Sequence, residues 1–89
     1  MTILFKNGNN RRAYVDIKYT KVLYVKHESM YKLTLNNESL EYYIHPDMIK
    51  EFNDALDVAI LENKNIIAQY EFVEGDLFDF MLVTDFEIK

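Results

Sequence analysis

Eighty-nine residues, 49 % apolar and 28 % charged, with no cysteine and a formal charge of -5, leave room for one core over residues 1–89. They exclude a second domain, a disulfide framework and any cysteine-ligated metal centre. Seven tyrosines and six phenylalanines beside two glycines and one proline argue for a folded chain rather than a disordered acidic tail.

In chain order, Ile3 and Phe5 followed by Asn7-Gly8-Asn9-Asn10 predict a strand over residues 2–6 that turns into a second strand near Arg12. The β-branched and aromatic run from Ala13 to His27 reads as strand, with a bend, a bulge or a division into two strands where the phase breaks at Tyr19-Thr20-Lys21. Tyr31, Leu33 and Leu35, the Asn36-Asn37 turn, then Leu40, Tyr42 and Ile44 alternate as a hairpin. His45-Pro46-Asp47 ends that strand and begins a helix, because proline suits the first helical turn and cannot continue a central ladder. On a helical wheel Met48, Ile49, Phe52, Ala55, Leu56, Ala59 and Ile60 fill an arc of about 140°. Asn63-Lys64-Asn65 caps the helix near residues 62–63. Residues 66–73 and 77–88 form two further strands joined through Glu74-Gly75-Asp76. The expected fold is α+β: an antiparallel sheet of about six strands with one amphipathic helix on a face, in the order β-β-β-β-α-β-β.

Catalytic chemistry has no foothold in these residues, and no enzymatic activity is expected. Ser29 and Ser39 lack a nucleophile elbow, His27 and His45 are isolated, and Gly8 and Gly75 are too far apart to form a phosphate-cradling loop. No cofactor or metal is expected either, since the carboxylates of Glu74, Asp76 and Asp79 around a turn glycine do not have the spacing of a calcium loop. No apolar run approaches the ~18 residues of a membrane span. The opening Met1-Thr-Ile-Leu-Phe-Lys lacks the pattern of a secretory leader, so a cytoplasmic location is expected.

The charge is uneven. Residues 1–45 hold seven bases against four acids, a net of +3, whereas residues 46–89 hold three bases against eleven acids, a net of -8. On the helix, Asp47, Glu51, Asp54, Asp57 and Glu62 fall opposite the apolar arc as one stripe, with Val58 and Leu61 among them. Carboxylates bordering aliphatic anchors are the pattern of a protein-binding patch. Glu71, Glu74, Asp76 and Asp79 extend the acidic theme into the last hairpin, where a three-residue turn sets Glu71 opposite Asp79. If helix and hairpin share one side of the fold, these carboxylates compete with nucleic-acid phosphates for a basic groove and gain the same counterion-release entropy. The expected partner is therefore a basic protein surface such as that of a CRISPR or restriction nuclease, held by a non-enzymatic inhibitor. The Asn-, Ile-, Lys- and Tyr-rich composition suits an AT-rich bacterium or its phage, in which case the site of action is the host cytoplasm. Two rival readings follow from the basic half and from the bipolar charge. One is a nucleic-acid module built on Arg11, Arg12, Tyr14, Lys18, Tyr19, Lys21, Tyr24, Lys26, Tyr31 and Lys32. The other is a homodimer or larger homo-oligomer, structural or regulatory, joined through its opposite charges.

Overall fold

Alternating apolar residues make strands here because one sheet face can be buried against a single helix. In the computed structural model, which describes residues 2–8, 10–17, 20–26, 29–34 and 42–89 and only the backbone of 11–15, seven strands precede and follow that helix. They are β1 (Thr2–Asn7), β2 (Asn10–Asp16), β3 (Lys21–Val25), β4 (Met30–Thr34), β5 (Tyr42–Ile44), then α1 (Pro46–Glu62), β6 (Ile66–Glu74) and β7 (Asp79–Ile88). All seven lie in one sheet of order β2-β1-β6-β7-β5-β4-β3. The α+β reading holds, with two corrections. Five strands rather than four precede the helix, because the run from Ala13 to His27 divides into β2 and β3 at the phase break. The sheet is mixed rather than antiparallel, because β1 pairs parallel to β6 and β5 parallel to β7. The hairpins β1–β2, β4–β5 and β6–β7 are antiparallel as expected; the Asn36-Asn37 turn lies outside the described residues.

Strands β2 and β3 end the sheet on opposite sides, six strand spacings or about 29 Å apart if it were flat. Residues 17–20 join them, a reach of about 19 Å at most. The sheet must therefore curl, and the core shows it: the Phe5 ring stacks on Tyr42 at 4.0 Å and 22°, although β1 and β5 are about 14 Å apart along the sheet. Ile17, at the start of the connection, is itself buried in that core. Register places Ile3, Phe5, Ile66, Ala68, Tyr70, Met81, Val83, Tyr42, Ile44, Leu33 and Val22 on this inner face.

Helix α1 closes the inner face by packing on β4, β6 and β7. Phe52, Ala55 and Ala59 are its buried residues. Phe52 meets Phe86 edge-on at 5.2 Å, and the two alanines let the helix backbone approach the sheet. Ile60, expected in the core, is half exposed, because it stands at the margin of the apolar arc, about 90° from the direction shared by Phe52 and Ala59. The termini follow the sequence signals. His45 is the N-cap, Pro46 opens the first turn, and Asn63 ends the helix in the left-handed region (φ 56°) with its N–H donating to the Ala59 carbonyl.

The β6–β7 hairpin differs from expectation at its tip. The strands end at Glu74 and resume at Asp79, which stand opposite each other, and Glu71 faces Leu82 rather than Asp79. The cause is Phe78, which leaves the ladder and folds onto the outer face of the sheet, 5.9 Å from Tyr43 and 5.7 Å from Phe80. Tyr43 and Phe80 are buried there in a small aromatic cluster apart from the main core. Gly75 is required by this turn, since a Cβ at that position would strike the Phe78 carbonyl oxygen and touch the Phe80 ring at 3.6 Å. Gly75→Ala is expected to cost about 1–3 kcal/mol, read as a lower denaturation midpoint with an unchanged m-value.

Candidate functional site

The outer side of α1 is built by its own periodicity. Docking through Phe52, Ala55 and Ala59 turns Asp47, Glu51, Asp54, Asp57 and Glu62 to solvent, and all five are exposed. They recur every three to five residues along a helix about 25 Å long. His45 Nδ1 accepts a hydrogen bond from the Asp47 N–H at 3.2 Å and lies 3.3 Å from the Asp47 carboxylate. Glu62 pairs loosely with Lys64 at 3.9 Å. Among the described residues, Glu51, Asp54 and Asp57 have no ion-pair partner. Val58 is 37 % exposed and Leu61 86 % exposed, so both apolar side chains stand among the carboxylates as expected from the wheel.

This stripe does not serve the helix. Asp47–Glu51, Glu51–Asp54 and Asp54–Asp57 are like-charge neighbours at i+4 and i+3, each unfavourable by about 0.2–0.5 kcal/mol. Asp47 suits the positive N-terminal end, but Glu62 lies in a last turn that holds no base, where the macrodipole favours cations.

The hairpin acids do not join this surface. Register sets Glu71, Asp85 and Glu87 on the outer face, away from α1, beside Gln69 and Ile67. There, Ile67, Gln69, Asp85, Phe86 and Glu87 line a shallow groove, and Glu87 pairs with Lys89 at 3.5 Å. Glu74, Asp76 and Asp79 cluster at the hairpin tip, at the opposite end of β6 from the α1 connection. The shared side supposed for helix and hairpin is thus corrected to three separate acidic regions, because the sheet stands between α1 and the outer-face carboxylates. At the tip, Glu74 and Asp79 are a directly opposed like-charge pair, and Leu77 projects beside them, 89 % exposed. Among the described residues, no three His, Asp or Glu side chains come close enough to hold a metal ion.

The basic half is also divided. Arg11, Arg12 and Tyr14 belong to β2, whereas Lys21, Tyr24, Tyr31 and Lys32 belong to β3 and β4, with Lys26 just after β3, so that the bases are shared between two different edges in strand order. Lys18 and Tyr19 lie outside the described residues. Within β3 and β4, register separates rings from bases: Tyr24 and Tyr31 pack together on the inner face at 5.0 Å, while Lys21 and Lys32 lie on the outer one. A single-strand platform needs rings and bases on one surface.

No helix among the described residues is long and apolar enough to cross a membrane. Comparison with protein-family models, curated proteins and solved structures finds no match to this chain.

Proposed function

We propose that this chain is a non-enzymatic inhibitor whose helix α1 occupies the nucleic-acid-binding groove of a basic protein, such as a CRISPR or restriction nuclease. The observation that carries the reading is the stripe of Glu51, Asp54 and Asp57, exposed and without ion-pair partners among the described residues, with Val58 and Leu61 set among them. Carboxylates placed at steps of about 4.5–7.5 Å along the helix axis, and about 4.5 Å from Glu51 to Asp54 to Asp57, are comparable to phosphates advancing about 3.4 Å per nucleotide. They would take the groove's lysines and arginines and release its counterions. Val58 and Leu61 add apolar contacts that nucleic acid lacks, which supplies selectivity for a particular groove. The hairpin-tip acids Glu74, Asp76 and Asp79 are a secondary contact at most, because they lie apart from the stripe.

The test is cleavage of duplex DNA by candidate CRISPR and restriction nucleases with the chain present. Cleavage should fall with rising concentration of the chain and recover when excess duplex is added. Cleavage untouched across the panel removes the reading.

A further inference from the structure

Strand β3 ends the sheet with β4 as its one hydrogen-bonded neighbour among the described strands. An edge strand presents a row of main-chain donors and acceptors that pair readily with another chain unless a bulge, a proline or charge along the strand blunts it. β2, the opposite edge, has such devices: its pairing with β1 shifts register at Phe5/Lys6, and its sequence contains Arg11, Arg12 and Asp16. In contrast, β3 pairs with β4 in unbroken register from Lys21–Thr34 to Val25–Met30 and contains no glycine or proline. Its centre is apolar on both faces. Leu23 on the outer face is 60 % exposed and Tyr24 on the inner face 50 % exposed, although both lie in mid-strand.

Charge selects what this edge accepts. Lys21 opens the strand and Lys26 follows it, both exposed, about 17 Å apart along an extended chain. A second copy paired antiparallel about Leu23 would set Lys21 of one copy opposite Val25 of the other, one residue from its Lys26, at each end of the joint, and this crowding of like charge opposes self-pairing. A strand with a carboxylate at each end meets both lysines and places its central side chains beside Leu23 and Tyr24. We propose that the outer edge of β3 takes an additional strand from a protein partner, extended, apolar at its centre and acidic at both ends. This surface is separate from the outer side of α1 and does not depend on the role assigned there. Main-chain hydrogen bonds supply affinity in such strand addition, and flanking side chains supply selectivity.

The experiment uses the whole chain and the labelled peptide Glu-Thr-Val-Val-Thr-Glu, whose end-to-end spacing of five residues matches Lys21 to Lys26, with a Lys-ended version of the same peptide as control. Anisotropy reads affinity, and amide hydrogen exchange reads location. At low salt the Glu-ended peptide should bind about tenfold tighter than the Lys-ended one and slow exchange across Lys21–Val25. The double variant Lys21→Glu/Lys26→Glu, both positions being exposed, should keep its thermal melt and reverse the order of the two peptides. Equal affinity for the two peptides overturns the proposal, as does protection that appears only outside β3. So does protection of β3 that grows with protein concentration in the absence of peptide, because a second copy would then hold the edge.

Discussion

Phe52→Ala should remove a large share of the stability of this fold. The side chain is fully buried, it meets Phe86 at 5.2 Å, and its helical neighbours on the buried face, Ala55 and Ala59, have no atoms to fill the space it would leave. Truncating a buried phenylalanine costs about 3–5 kcal/mol, whereas a domain of this size has on the order of 5–13 kcal/mol in total. The thermal midpoint should fall by about 15 °C or more. A loss below about 1 kcal/mol in chemical denaturation would mean that α1 does not dock on the sheet through this ring.

The second large effect separates function from fold. Reversing Asp54 and Asp57 together to lysine changes the charge of the stripe by four units without touching a buried residue. It converts the like-charge neighbours Glu51 and Asp54 into opposite charges and the opposite-charge neighbours Lys50 and Asp54, at i+4, into like ones, so the two changes offset and stability should stay within about 0.5 kcal/mol of the parent chain. Inhibition should fall by about a hundredfold or more, because two groove lysines or arginines then face like charge instead of a carboxylate. Circular dichroism melts and cleavage assays on the same preparation check both halves. Unchanged inhibition with an unchanged melt would place the contact elsewhere on the chain.

Local signals were readable to the extent that the physics is local. The caps at His45, Pro46 and Asn63 act within one helical turn, and the antiparallel hairpins join strands close in sequence; all were visible in residue order. The parallel pairings were not, since Ile3 meets Ile66 across more than sixty residues and Tyr42 meets Met81 across nearly forty, and alternation within a strand says nothing about its partner. The curl escaped for a related reason: it follows from joining the two outermost strands by residues 17–20, which becomes a constraint only once strand order is known. At the hairpin tip the turn signal Glu74-Gly75-Asp76 located the reversal but not its length, because Phe78 leaves the ladder for Tyr43, a residue brought near by the parallel β5–β7 pairing.

The candidate site divides along the same line. The helical stripe with Val58 and Leu61 was legible, since period 3.6 alone sorts its residues by face. Whether Glu71 and the tip carboxylates shared that side was not, because it depends on the register of β6 and on which sheet face α1 covers. Leu23 gave no functional signal either, and Tyr24 only that of a stacking ring for nucleic acid, not of a sheet edge. In sequence they read as ordinary strand residues, and only the strand order puts them at an open edge.

In the proposed function, the outer side of α1 and nucleic acid compete for one basic groove. The most direct measurement is displacement of labelled duplex from a nuclease that the chain inhibits, followed by anisotropy from about 50 to about 300 mM salt. The chain should displace the duplex completely, its own affinity should fall steeply with salt, and Asp54→Lys/Asp57→Lys should lose displacement and flatten that slope. Inhibition with the duplex still bound, or a slope unaltered in the double variant, would contradict the account.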